Sequence, residues 1–281
     1  MRNAQFRWFF IYENSNGEEG RQTDDTFGFA TQNGNTDGDA IPKDAMAAAF
    51  DINLLTTKPD GTHEFNIEGN DRAEKAREML INIFKQPGTT ANGAVQNFAA
   101  GKYLFWESMI YPSKQDNMTI REMSDKYGLL PLPKFDLDQK QYYTAAFDGY
   151  SLMSVLDHNN STRPTKGEAV SAYLQLATEE SYTSVRGYYF NRIIKPKYFG
   201  TDDSEGTVSK SIALFDIIIA NIRFDFWTVY AAQLNHLTWT WRNSLLEDFP
   251  SLESAYRSNQ EAFDKALEDL DDWFFNETVD E

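Results

Sequence analysis

The sequence predicts an α/β fold, and three observations carry that prediction. Short apolar runs that suit strands, such as Thr26 to Ala30, His63 to Ile67 and Lys102 to Ile110, alternate with segments of helical periodicity. Turn signals punctuate them, among them Pro59-Asp60-Gly61 and Gln86-Pro87-Gly88. There is no internal repeat and no low-complexity linker. The 281 residues suffice for about two domains or one large one.

In chain order, residues 13–44 are polar and turn-rich around the strand Thr26 to Ala30. Lys43 to Leu55 suits a short helix carrying Ala45, Met46, Ala49 and Phe50. Asp71 to Lys85 is a helix with Ala73, Ala76, Met79, Leu80, Ile83 and Phe84 on one face. Asp71 is its expected cap, with Glu74 three residues on. A helix from Ala91 to Ala100 precedes a buried strand over Lys102 to Ile110. Thr119 and Glu122 open another short helix. Leu129-Leu130-Pro131-Leu132-Pro133 must be extended, because a residue before proline avoids helical angles.

Tyr142 to Val155 reads as one or two strands. Thr165 and Glu168 cap a helix with Ala169, Ala172, Tyr173, Leu176 and Ala177, and a further helix turns Val185, Tyr188, Tyr189 and Ile193 inward. Residues 207–247 are helical and aromatic. The last helix starts near Pro250-Ser251 and places Leu252, Tyr256, Phe263, Leu267, Leu270 and Phe274 on its apolar stripe.

Charge and composition exclude several functions. With 26 basic and 43 acidic residues the formal charge is −17, a field that repels nucleic acid and anionic membrane surfaces. The absence of cysteine removes disulfides, thiolate zinc sites and cysteine nucleophiles. The longest apolar stretch, Ile212 to Ile222, is interrupted by Asp216 and is far short of the roughly 20 residues that span a bilayer. The apolar run Trp8 to Tyr12 is too short for a signal-peptide core, so an export signal is expected to be missing from this chain.

No glycine-rich nucleotide fingerprint and no nucleophile elbow occurs. His63, His158 and His236 lack ligand-like spacing. Asn33 to Asp44 places acids and amides at calcium-loop positions, but its asparagine start and aspartate end fit a turn-rich polar loop better. No cofactor is expected.

Glu107 and Asp148 are the candidates for chemistry. Each interrupts an apolar, aromatic setting, and a buried carboxylate needs a partner, whether protein or ligand. Among 21 Phe, 14 Tyr and 6 Trp, the rings Trp106, Tyr111, Trp227, Tyr230, Trp239 and Trp241 lie beside polar groups. Such rings suit the apolar C–H faces of sugars, although most must be core.

From about residue 65 onward the order of segments resembles an extracellular solute-binding protein of the carbohydrate ABC-transporter type. The resemblance rests on Phe98-Ala99-Ala100-Gly101-Lys102-Tyr103-Leu104-Phe105, on Tyr127-Gly128-Leu129-Leu130-Pro131-Leu132-Pro133-Lys134, on Asp148-Gly149-Tyr150-Ser151-Leu152, and on the helix that ends Thr178-Glu179-Glu180. It implies a periplasmic-binding-protein-like two-lobe fold with hinged lobes, each a sheet flanked by helices, closing on a mono- or oligosaccharide. Residues 1–145 and 199–281 would form the second lobe. Residues 146–198 would be what remains of the first, most of which is missing along with the lipid-anchor segment.

The resemblance further implies a cell-surface, extracellular, non-catalytic and monomeric protein that delivers its sugar to membrane permease subunits. Tyr111 occupies the place of a sugar-stacking aromatic, though the family's Gly-Pro-Trp triplet is absent. Trp227 falls at a cleft-lining position and Asp148 at the crossover between lobes. Trp106, Glu107, Tyr150 and Tyr230 complete the expected ligand-binding set. The alternatives are a sugar-active hydrolase using Glu107 and Asp148, with the two carboxyls flanking a glycosidic bond, and a truncated remnant that binds nothing.

Overall fold

The computed structural model describes residues 12–13, 26–31, 41–86, 89, 94–109, 120, 122–146, 165–199, 206–246 and 249–275. The chain is mixed α/β and divides into two compact units. Unit 1 comprises Met1–Lys126, Pro131–Asp148 and Asp216–Glu281, and unit 2 comprises Tyr127–Leu130 and Gly149–Phe215. Among the described residues no helix is long and apolar enough to cross a membrane.

Unit 1 holds a three-stranded sheet in which β2 (Thr26–Ala30) lies between β1 (Tyr12–Glu13) and β5 (Tyr103–Trp106). β1 pairs antiparallel. β2 and β5 run parallel with Phe27 beside Tyr103 and Ala30 beside Trp106. A parallel pair needs a long crossover. Here it consists of α1 (Ile41–Ala49), the hairpin of β3 (Leu55–Thr57) and β4 (His63–Phe65), α2 (Asp71–Phe84) and α3 (Ala94–Ala99). The expected strand over Lys102 to Ile110 is shorter than its apolar pattern, and Leu104 on it is exposed.

The hairpin turn places Gly61 at φ +93°, a left-handed conformation that favours glycine. Asp60 accepts from both the N–H and the hydroxyl of Thr62, which holds its carboxyl below the usual range.

α2 is capped one residue earlier than expected. The Asn70 side chain accepts from the Ala73 N–H at 3.0 Å, and Asp71 sits in the first turn. Glu74 is used elsewhere. One of its oxygens accepts from Arg77 at 2.8 Å and the other from the Leu252 N–H at 2.7 Å. The predicted stripe is buried through Ala73, Ala76, Leu80 and Ile83, and the guanidinium of Arg77 is buried with it. Each large aliphatic side chain so buried contributes about 1.5–3 kcal/mol.

The turn over residues 135–139 is clipped beside this helix. Arg72 donates to Asp136 and to Gln139, each at 2.9 Å, and Gln139 donates to the Ala49 carbonyl at 2.8 Å.

The core of unit 1 gathers Phe29, Phe50, Leu54, Leu80 and Ile83 with Trp227, Leu237, Trp241, Leu252 and Phe263. The last residues come from the carboxyl-terminal third. Residues 207–247 are not one helical block. α6 (Thr207–Ala220) gives way to the short strand β7 (Ile222–Arg223), which pairs parallel with β6 (Thr144–Ala145); α7 (Phe226–Val229) and α8 (Leu237–Leu246) follow. Positive φ at Asn235 and His236 sets the turn before α8. Trp241 donates its indole N–H to the Lys43 carbonyl, and Arg242 grips Asp44, so the last acid of the calcium-like loop is held by a guanidinium. The rest of the sequence's last helix is two pieces, α9 (Leu252–Arg257), capped by Ser251, and α10 (Gln260–Phe275).

Unit 2 is built on α4 (Thr165–Glu180), which continues through two π-helical stretches, Ser181–Arg186 and Tyr189–Ile194, into α5 (Lys195–Phe199). Its packing centres on buried Ile194 and Phe215, with the rings of Phe190 and Phe199 at 5.6 and 6.0 Å from Phe215. The side chains expected to turn inward largely do not: Tyr173, Leu176, Val185 and Tyr188 are 63–69% exposed. Helical periodicity marks a face as apolar without showing what covers it.

Candidate functional site

Where β2 and β5 end side by side, the next residue of each strand turns polar. Thr31 follows Ala30, and Glu107 follows Trp106. The backbone continues the pairing, since the Glu107 N–H donates to the Ala30 carbonyl at 2.9 Å and the Thr31 N–H to the Thr89 carbonyl at 2.8 Å. The Thr31 hydroxyl then donates to Glu107 Oε2 at 2.8 Å across 76 residues of chain.

Glu107 is only 7% exposed and Thr31 only 1%. Among the described residues no cation pairs with Glu107. Burial therefore pushes its carboxyl up to about 7, and the Thr31 hydrogen bond offsets only part of that. Near neutral pH this group both donates and accepts hydrogen bonds.

Trp106 adds a second unmet need. Its indole N–H is buried and has no acceptor among the described residues, while its ring packs against Phe98 at 5.8 Å. Successive strand residues face opposite sides of a sheet, so the Trp106 indole and the Glu107–Thr31 pair are two separate polar points at this strand end, each of a kind that a water or a hydroxyl group satisfies. The carboxyl ends of parallel strands are also where open α/β sheets place their ligands.

Trp106 and Glu107 are thus adjacent at the end of β5. Tyr111, Asp148 and Tyr150 lie outside the described residues. Trp227 belongs to the main core at 1% exposure and offers no open ring face, although its N–H too has no partner among the described residues. Tyr230 is half-buried between Phe226 at 4.5 Å and Phe274 at 5.5 Å. Both pack with the large cluster, whereas Trp106 packs with the small cluster of Phe27, Ala30 and Tyr103.

Thr31 and Thr89 were not visible as site residues. The signal for Thr31 was its place after an apolar strand, the same place that Glu107 holds.

A groove of about 300 Å³ is lined by His63, Phe65, Glu68, Tyr256, Asp264 and Leu267, among others. His63 stacks on Phe226, and its Nδ1 meets Asp271 at 2.6 Å. Burial, and then donation to Asp264, raises the Tyr256 hydroxyl above its ordinary range. Among the described residues, none of the sequence-expected ligand set (Trp106, Glu107, Trp227, Tyr230) lines this groove. Among the described residues no group of acids and histidines is arranged to hold a metal ion.

No family model matches the chain, and neither a curated protein nor a solved structure does.

Proposed function

We propose that this chain is the sugar-binding part of an extracellular solute-binding protein of the carbohydrate ABC-transporter type, a non-catalytic component that hands its ligand to membrane permease subunits. In that reading the fold is the two-lobed one, with most of the first lobe missing. The observation that supports it is the end of the β2–β5 pair, where Glu107 and Thr31 form a buried polar pair next in the chain to the aromatic cluster of Phe27, Tyr103 and Trp106. Sugar hydroxyls both donate and accept, which suits a buried carboxyl and hydroxyl pair, and an aromatic ring face suits their C–H surface. Tyr111, four residues beyond Glu107, is the stacking candidate by the resemblance.

The test is a thermal-shift screen of mono- and oligosaccharides against the purified chain. A sugar at about 100 times its Kd stabilises by about 2.7 kcal/mol. That shift should vanish in Trp106→Ala and in Tyr111→Ala while the unliganded folds persist. No shift with any sugar, or a shift that survives both substitutions, overturns the assignment.

A second reading has one observation in its favour. A carboxyl held near 7 is what a general acid needs, so a sugar-active hydrolase would use Glu107 as acid with Asp148 as its partner. Release of chromophore from an aryl glycoside, abolished in Glu107→Gln, would select it over transport.

A further inference from the structure

The groove beside β4 in unit 1 has hydrogen-bond acceptors at both ends and an apolar middle. Asp264 and Leu267 of α10 line it, and Asp271 comes next on the same face of that helix, at spacings of three and four residues. The two acids stand about 10 Å apart along the helix axis, with the leucine between them. The rings of Phe65 and Tyr256 also line the groove, 5.3 Å apart.

At one end the Tyr256 hydroxyl donates to Asp264 Oδ1 at 2.9 Å, and Asp264 Oδ2 has no partner among the described residues. At the other end stands His63, which lines the groove and is nine-tenths buried. Its Nδ1 lies 2.6 Å from Asp271 Oδ1, and Asp271 Oδ2 accepts from the His63 backbone N–H at 2.8 Å. A carboxylate only accepts, so Nδ1 carries the hydrogen and Nε2 of the neutral ring is an acceptor. Nε2 has no partner among the described residues and is the ring nitrogen left for the groove.

The local field is negative. The Tyr256 hydroxyl is raised by burial first, then by its bond to Asp264 and by the charges of Asp264 and Glu68. Glu64 adds a third lining carboxylate, while exposed Arg257 meets Glu68 at 3.0 Å. Two acceptors in a negative field, joined by an apolar stretch, call for a ligand that is cationic and donates at both ends, with hydrocarbon between. One metal ion cannot bridge about 10 Å.

We propose that this groove binds a linear alkyl polyamine. One ammonium donates to Asp264 beside the Tyr256 and Phe65 rings, the other donates to His63 Nε2, and the methylene chain lies over Leu267. Thr31, Trp106 and Glu107 do not line the groove, so this site is independent of the one at the β2–β5 strand end.

Isothermal titration calorimetry of the purified chain with spermidine tests it, at about 0.15 M salt so that exposed charges are screened. One saturable site is expected. Propylamine, which has a single ammonium, should bind at least tenfold more weakly, and magnesium ion should not displace spermidine. Asp264→Asn keeps an oxygen for the Tyr256 hydroxyl but loses the charge, and it should weaken spermidine about tenfold or more. Circular dichroism confirms that this variant is folded.

Imidazole nitrogen-15 spectra supply a second readout on the wild-type chain. The sequence has three histidines, and His158→Gln with His236→Gln leaves the His63 signals alone. Spermidine should shift the Nε2 resonance in step with the calorimetric isotherm. Absence of saturable binding overturns the proposal. So does equal binding of propylamine, displacement by magnesium, an affinity that Asp264→Asn leaves unchanged, or a His63 Nε2 resonance that spermidine does not move.

Discussion

Glu107→Gln should stabilise the folded chain at neutral pH and leave it unchanged in acid. Burial raises the Glu107 carboxyl from 4.5 to about 7, so the folded state holds a proton that the unfolded chain has released. Through that window the native state binds more protons than the unfolded state, and stability falls as pH rises, levelling off above about pH 7. The contribution is present in full below the unfolded value and lost as pH climbs through the folded one. The size follows from the shift: about 2.5 units at 1.36 kcal/mol each is about 3 kcal/mol.

Glutamine is neutral throughout and keeps an oxygen to accept from the Thr31 hydroxyl, so it removes the titration and little else. Urea unfolding of both proteins at several values between about pH 4.5 and pH 8 measures the difference. The two curves should coincide at the acid end, and the variant should lead by about 3 kcal/mol at the alkaline end, or roughly 6–12 °C in Tm. The remaining carboxylates titrate in both proteins and cancel. A difference that stays constant across the window would refute the buried-carboxyl argument, and with it the reason for placing function at this strand end.

Arg77 donates to the Ser244 carbonyl at 3.0 Å, to the Phe249 carbonyl and to Glu74. Arg77→Met should cost about 3–5 kcal/mol in urea unfolding, because it strands a partly buried carboxylate and two carbonyls. Gly61→Ala should lower stability by about 1 kcal/mol or more in a thermal melt. It places a side chain at φ +93° and a new carbon 3.1 Å from the Phe275 ring.

Local signals were legible in the sequence where one element decides the outcome. The stripe of α2 is buried as its spacing indicates, and Glu107 was marked by interrupting an apolar run. Its donor was not, because Thr31 reaches it only through a parallel pairing 76 residues away. The cap of α2 shifted from Asp71 to Asn70 because two adjacent polar residues compete for one role, and only backbone geometry decides between them. The resemblance places Trp227 at a cleft-lining position, and in sequence a core tryptophan and a binding tryptophan look alike in a polar neighbourhood. The structure buries it among Leu234, Leu237 and Trp241. The spacing on α4 and its continuation marks an apolar stripe and predicts it inward, whereas Tyr173, Leu176, Val185 and Tyr188 are exposed; nothing along the chain says which apolar faces are covered.

The core of unit 1 joins residues that are made far apart in time. Trp241 reaches Lys43 across 198 positions, and Asp271 reaches His63 across 208. A ribosome adds about 5–20 residues each second, so α1 and α2 are complete on the order of ten seconds before the helices that seal them emerge. During that interval the alanine-rich face of α1 and the Ala73–Ile83 apolar stripe of α2 are open to water and to other nascent chains. Their closure depends on loops of high sequence separation, the slow class of folding event. Folding of this unit is therefore largely post-translational, and any ribosome that stalls before α10 releases a chain whose amino-terminal half has no means of closing its own core.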